Sequence, residues 1–329
     1  MRRAALPSVL VITLAGVVGC SIVGCSGEDP DRGLDEPLRV AGATFKPGEL
    51  PGEPPLPEDA PPEAPRAEPR VTLIESVNNV LAPGQANKSL SGRTDEEAVA
   101  IGIRFDDLGT GYWVLPTGSL DPAVPGERVW ALGLEVDRAV PPGLHALRLA
   151  ALDEGGTGGT QSELTVCVTP EVPDNLNACD RAIEPPAVVL SLEWDSAADL
   201  DLGVVTPKGK LVDSKHPTTA TGEEPAPDPA KDGIFDVDAN AACGGDLRRR
   251  ENLVWQSKPQ GGSYAVYVNL FEACGEQAAR FVVTLHVSEA NGDGTFALVE
   301  KLRIPGELLA AQANGGSAPG LYVTSFQIQ

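Results

Sequence analysis

The chain is 329 residues long with a formal net charge of −22, enough for two domains of roughly 100 residues each plus tails. That charge excludes a nucleic-acid binder, whose phosphates need a basic footprint, and argues against simple electrostatic adsorption to anionic lipid. With 36 glycines and 30 prolines among short valine and leucine runs, the composition favours an all-β protein joined by turns over a helix bundle.

Residues 1–25 read as an export signal: Arg2-Arg3, then an apolar run over residues 4–18 interrupted mainly by Pro7, Ser8 and Thr13. The run is too short and too early for a dependable transmembrane span. It ends in two sequences that resemble bacterial lipoboxes, Val17-Val18-Gly19-Cys20 and Ile22-Val23-Gly24-Cys25. In a lipobox a small residue precedes the cysteine that is lipidated and becomes the new N-terminus. Cys25 is preferred because the polar Ser26-Gly27-Glu28-Asp29 follows it at once; Cys20 is the alternative. Several acyl chains, at about 0.8 kcal/mol per buried methylene, would anchor such a protein stably. The expected location is the bacterial cell envelope, lipid-anchored on the periplasmic face or the cell surface. No other segment reads as a bilayer span, and the C-terminus carries no sorting motif.

Residues 26–69 carry 11 prolines and 11 acidic residues against 4 basic ones. Such a composition buries too little apolar surface to offset chain entropy, so the segment is expected to be a disordered linker. Proline stiffening and like-charge repulsion would extend it and hold the folded part roughly 100 Å from the membrane.

Residues 70–169 read as a first β-sandwich, with strands at 71–77, 98–105, 129–136, 143–152 and 164–168 separated by Gly, Pro, Asp and Asn turns. The Pro141-Pro142-Gly143 turn and its alternating strand are similar to the penultimate strand of bacterial immunoglobulin-like repeats, which implies an immunoglobulin-like module. Tyr112, Trp113 and Trp130 read as core or rim packing, and His145 as a half-exposed strand residue. Residues 170–186 read as a linker that contains Cys179.

The organising stretch of the remainder, 187–329, is the strand that includes Asp199-Leu200-Asp201-Leu202. Period-2 alternation puts both carboxylates on one face and Leu200, Leu202 and Val204 on the other. The Pro207 to Gly209 turn ends the strand. The pattern returns at Gly233-Ile234-Phe235-Asp236-Val237-Asp238, read as a strand with Asp236 and Asp238 on one face. Residues 262–268 read as a third, central strand, 295–304 and 321–328 as two more, and 306–313 as a short helical turn.

Taken in order, Trp194, Asp199 to Leu202, Pro207 to Gly209, Gly233 to Asp238, Glu251-Asn252 and Gly262 to Val268 resemble the YfaP-like bacterial domain of unknown function. The resemblance covers about residues 187–288. Gly203 departs from it, standing where that family usually carries a His, and the loop from Asp213 to Asp232 is long. The family brings no settled activity with it, so the resemblance implies a domain type and places the acidic positions inside its motif.

Export makes disulfides permissible for the four later cysteines, Cys167, Cys179, Cys243 and Cys274. Three connectivities exist; the nearest pairing within each region is Cys167 with Cys179 and Cys243 with Cys274. No Cys-x-x-Cys or His-x-x-x-His spacing suggests zinc. Three dispersed histidines, His145, His216 and His286, make no triad, and no Gly-x-Ser-x-Gly, His-Glu-x-x-His or phosphate loop is present, so no catalytic residue is assigned. Asp195, Asp199, Asp201, Asp236 and Asp238 form the one constellation with site chemistry. Carboxylates at strand ends suit calcium, which takes six to eight oxygen ligands, although so acidic a chain has solvated carboxylate faces in any case. The expected function is a non-catalytic, envelope-anchored lipoprotein that presents β-sandwich modules to protein or glycan, with calcium as a stabiliser. The alternative is a carbohydrate-active or other hydrolytic lipoprotein using carboxylates of the acidic C-terminal sandwich.

Overall fold

The computed structural model describes residues 33–57, 59–61, 64–221, 227–245 and 248–329. Both lipobox cysteines, Cys20 and Cys25, lie outside the described residues. The fold is all-β, and among the described residues the only helical elements are two single 3-10 turns, Ala241–Cys243 and Ala310–Gln312.

The first sandwich contains β1 (Leu38–Val40), β2 (Thr44–Pro47), β3 (Val71–Glu75), β4 (Val80–Leu81), β5 (Lys88–Asp95), β6 (Ala100–Phe105), β7 (Gly111–Pro116), β8 (Glu127–Val136), β9 (Gly143–Leu152) and β10 (Ser162–Val168). One sheet has the order β1-β8-β5-β3 and the other β2-β7-β6-β9-β10-β4. Pairings are antiparallel except for β4 beside β10. Alternation drives the packing: Ile101, Ile103, Phe105, Leu147 and Leu149 of one sheet are buried with Leu90, Trp130, Leu132 and Leu134 of the other. Each such side chain contributes on the order of 1.5–3 kcal/mol by leaving water. His145, expected to be half-exposed, is buried, with Nε2 2.8 Å from the Pro141 carbonyl oxygen.

The first two strands correct the expectation of a disordered linker over residues 26–69. Leu38 and Val40 enter the core while Arg39 between them pairs with Glu135 at 2.8 Å, and β1 lies antiparallel to β8. Phe45 packs on Trp113 at 5.4 Å, and Leu50 is buried with Ala150 and Leu152. Glu36, also buried, accepts the Thr110 N–H at 3.0 Å. Two short segments, Leu-Arg-Val and Thr-Phe-Lys, form edge strands on β8 and β7 with only three apolar side chains between them. Averaging composition over the whole proline-rich segment dilutes them.

The second sandwich contains β11 (Val188–Trp194), β12 (Asp199–Val205), β13 (Leu211–Val212), β14 (Gly233–Phe235), β15 (Arg250–Trp255), β16 (Gly262–Glu272), β17 (Ala278–Ala290), β18 (Phe296–Leu309) and β19 (Leu321–Ile328). Its sheets are ordered β14-β15-β11-β17-β18 and β13-β12-β16-β19, all antiparallel. Leu190, Leu192, Leu253, Trp255 and Val283 meet Leu200, Leu202, Val204, Val266, Val268 and Phe326 in one core. Tyr264 stacks on Phe326 at 5.1 Å and takes the edge of Trp255 at 5.7 Å, while its hydroxyl donates to the Gln260 carbonyl at 2.9 Å. The two C-terminal strands complete one sheet each, β18 beside β17 and β19 beside β16.

Both disulfides form in the nearest-neighbour pairing, Cys167–Cys179 and Cys243–Cys274, with Cα separations of 5.7 and 5.6 Å. Structural disulfides belong to an oxidising compartment and each typically stabilises by about 2–4 kcal/mol. No helix among the described residues is long and apolar enough to cross a membrane. The segment 170–186 carries no strand but is fastened in place. Asn177, 1% exposed, donates to the carbonyls of Ile183 and Phe296 at 2.8 and 3.1 Å, and Glu171 pairs with Arg250 at 3.0 Å.

Candidate functional site

The site grows out of an incomplete edge. β13 pairs with β12 only at Val204 and Val205, and among the described residues no other strand pairs with the first half of β12 on that side. An unpaired buried N–H costs as much as a lost hydrogen bond, and here a side chain substitutes for the missing strand. Glu251 of β15, 0% exposed, accepts the Leu202 N–H at 2.8 Å and the Ala239 N–H at 3.2 Å. Burial pushes the Glu251 carboxyl well above its ordinary range, and the charges of Asp201 and Asp238 reinforce this against the two N–H bonds.

Around this buried acid the structure gathers Asp199, Asp201 and Asp238, with one carboxylate oxygen of each within 4.8 Å of the others. Asp199 is 2% exposed; its Oδ2 accepts the Ala242 N–H at 2.6 Å, and no donor among the described residues reaches its buried Oδ1. Burial, followed by the charges of Asp201, Asp238 and Glu272, pushes the Asp199 carboxyl up to about 7 despite the Ala242 bond. Asp201 is also raised by burial, opposed by the side chains that donate to it, Asn269 to Oδ2 and Ser214 to Oδ1, each at 3.1 Å.

The segment that closes over Asp199 is strained. Asn240, Ala242 and Cys243 have φ of 58, 49 and 59°, and Cys274, bonded to Cys243, has φ 53°. Non-glycine residues in the left-handed region persist only where surrounding structure over-determines them. Here the disulfide clamps one end, and Asn240 Nδ2 donates to the carbonyls of Ala197 and Ala198 at 2.5 and 3.2 Å. The result is a backbone N–H aimed at Asp199 and a carboxylate oxygen left over beside two other acids.

Two of the five sequence candidates lie elsewhere. β14 ends at Phe235, so the expected alternation does not continue to Asp238. Asp236 turns instead to β15, accepting the Asn252 backbone N–H at 2.9 Å and its Nδ2 at 2.7 Å. Asp195, exposed, accepts the Arg280 N–H at 3.0 Å at the end of β11. Both are hydrogen-bond partners of neighbouring backbone. Glu251 is the acid missing from the five candidates; its signals in the sequence are its place in the Glu251-Asn252 pair of the YfaP-like pattern and a charge at the head of the largely buried run Asn252-Leu253-Val254-Trp255.

The chemistry of the donor set fits a hard cation. Calcium–oxygen distances of about 2.3–2.6 Å allow two ligands of one ion to lie up to roughly 5 Å apart, which a 4.8 Å spread satisfies. Asp199, Asp201 and Asp238 would hold the ion, leaving three or more positions for carbonyls or water.

No family model and no curated protein matches the chain. Among solved structures, the chain is similar to the crystal structure of BcpA, the major pilin subunit of Bacillus cereus, at 13% identity over 73% of this chain and 66% of that one, with a TM-score of 0.19. An aspartate-to-alanine variant of the same pilin aligns at 13% identity over 72% and 64%, TM-score 0.18. A structure of manganese lipoxygenase of Gaeumannomyces graminis with part of zonadhesin of Komagataella pastoris aligns at 10% identity over 73% and 94%, TM-score 0.19. The chain thus spans just under two thirds of the pilin's length, and TM-scores this low carry nothing about function.

Proposed function

We propose that the chain is an exported, non-catalytic β-sandwich protein whose C-terminal domain, YfaP-like in its motifs, holds a calcium ion at Asp199, Asp201 and Asp238 and presents a binding surface to envelope glycan or protein. Two observations support the ion: no donor among the described residues reaches the buried Asp199 Oδ1, and carboxylate oxygens of Asp199, Asp201 and Asp238 lie within 4.8 Å of one another. A divalent cation would satisfy that oxygen and cancel the repulsion in one step. The non-catalytic reading is supported by the sequence, in which three dispersed histidines and no nucleophile–base motif accompany the acids. Calorimetric titration tests the ion. Calcium is expected to bind in roughly the 0.1–1 mM range of extracellular modules. At a hundredfold excess over Kd it should add about 2.7 kcal/mol to stability. Asp199→Asn and Asp201→Asn should each abolish the heat; unchanged titrations in both would sink the site.

The chain is further proposed to be lipid-anchored in a bacterial envelope through Cys25. Mass spectrometry of the N-terminal peptide is expected to find acyl mass on Cys25, and lipid on Cys20 or a soluble product starting elsewhere would refute it.

A further inference from the structure

Beside the acidic cluster, on the outer face of the sheet that carries β12, lies a cavity of about 230 Å³ whose floor is Asp201, Gly203 and Asn269. Two loops wall it, and each is pinned. The loop after β13 is closed by Asp213, whose Oδ1 accepts the His216 N–H at 2.8 Å and the Lys215 N–H at 3.1 Å, and Ser214 donates across to Asp201. The loop before β19 is held by Asn314, which donates to Asn269 Oδ1 at 2.6 Å and accepts the Gly316 N–H at 2.8 Å. Lys215 of the first loop lies over the Phe271 ring of β16, its Nζ 5.7 Å from the centroid, and close to Gly316 of the second loop. A pocket whose walls are fixed before the ligand arrives avoids the ordering cost that weakens most binding sites.

Gly203 leaves the space open. The nearest atoms to a Cβ built there are Tyr267 Cβ at 3.5 Å and Leu211 Cδ1 and the Pro319 carbonyl at 3.7 Å, ordinary contacts, so a side chain at this position would extend into the cavity it now lines. The rim mixes acceptors and donors: Asp201 retains acceptor capacity beyond its two bonds, and Lys215 and Ser317 offer donors. Leu211 and Pro319 supply an apolar wall. A free anion would face Asp201 and Asp213, while the mix of carboxylate, amide, hydroxyl and ammonium groups on the rim suits the donors and acceptors of a neutral polyhydroxyl ligand. The volume lies below the roughly 300–1,000 Å³ of drug-sized pockets, which suits a single ring.

We propose that this pocket binds one neutral pyranose unit of a glycan, its C–H face against Leu211 and Pro319 and its hydroxyls on Asp201, Asn269 and Lys215. The proposal rests on the reading of the chain as a binding module and gives that module a ligand class and a place. It does not require the cation, although Asp201 serves both sites.

The whole chain is titrated with the methyl glycosides of glucose, galactose, mannose and N-acetylglucosamine, by calorimetry and ligand-observed NMR, in calcium and in chelator. At least one glycoside is expected to bind. Gly203→Val, which fills the cavity from below, should weaken it by ~tenfold or more, and Lys215→Ala, on an exposed loop, by ~threefold or more, both with unchanged melting temperature. Should Gly203→Val disturb the strand, Lys215→Ala decides. Binding that survives both variants, or no binding of any of the four sugars, overturns the pocket. Retention of the wild-type and Gly203→Val chains alike on an insoluble polysaccharide would overturn the pocket while leaving the binding-module reading standing. Sugar binding that is equal in calcium and chelator supports the pocket as an independent site.

Discussion

With calcium removed by chelator, the protein is expected to lose stability as pH rises from about 4 to about 7, the reverse of ordinary acid denaturation. The sign follows from Asp199, whose carboxyl is pushed by burial from its ordinary value of 3.8 up to about 7 in the folded chain. Between those values the folded chain holds a proton that the unfolded chain has released, so each step up in pH favours unfolding. The stabilisation is complete below the unfolded value and gone above the folded one. Its upper bound for this residue is ~4 kcal/mol. Asp201 and Glu251, both raised, add to the loss with the same sign. Calcium would take the proton's place, so millimolar calcium should flatten the fall above about pH 5. Melting temperatures measured against pH with and without chelator check this directly, with Asp199→Asn as the control that makes the slope shallower by that residue's share, leaving only what Asp201 and Glu251 contribute. A slope equally steep in that variant would place the titration elsewhere.

Glu251→Ala is expected to destabilise the protein by ~3–5 kcal/mol, more than any other single carboxylate removed from the site. The change deletes the acceptor of two buried N–H groups, Leu202 and Ala239, each costing about 1–3 kcal/mol when orphaned, and leaves a void in a closed core end. Glu251→Gln keeps the shape and one acceptor but turns an amide NH₂ toward the other backbone donor, and should cost ~1–3 kcal/mol. Denaturant melts give the two values, and hydrogen exchange should speed up selectively at the Leu202 and Ala239 amides. If alanine costs no more than glutamine, Glu251 is not what completes the β12 edge.

The parts of this architecture that follow a period of two were legible in the sequence. Leu200, Leu202 and Val204 face the core as the alternation required, and residues 143–152 form a strand with those bounds. Strands with little apolar signal were not legible. β5 reads Lys-Ser-Leu-Ser-Gly-Arg-Thr-Asp; its core face is Leu90, Gly92 and Thr94, and a Cβ at Gly92 would lie 2.6 Å from the Trp130 ring. Its burial is set by a partner's indole, which no local pattern announces. The site was half legible for a similar reason. Alternation correctly paired Asp199 with Asp201, but Asp238 arrives by an irregular, disulfide-clamped segment and Glu251 by a strand of the opposite sheet. Convergence of that kind is a property of closure between sheets, and sequence spacing carries no record of it.

If Cys25 carries lipid as proposed, the inclusion of Leu38–Val40 in the first sandwich limits how far the protein can stand from a membrane. From Cys25 to Leu38 is 13 residues. A fully extended chain advances at most about 3.3–3.6 Å per residue, so a lipid on Cys25 would hold the first strand within ~45 Å of the bilayer surface, less than half the stand-off that a 44-residue spacer would give. On such a leash the two sandwiches would sweep only the zone next to the membrane. A glycan or protein met there would itself have to be membrane-proximal or to reach inward from a more distant layer.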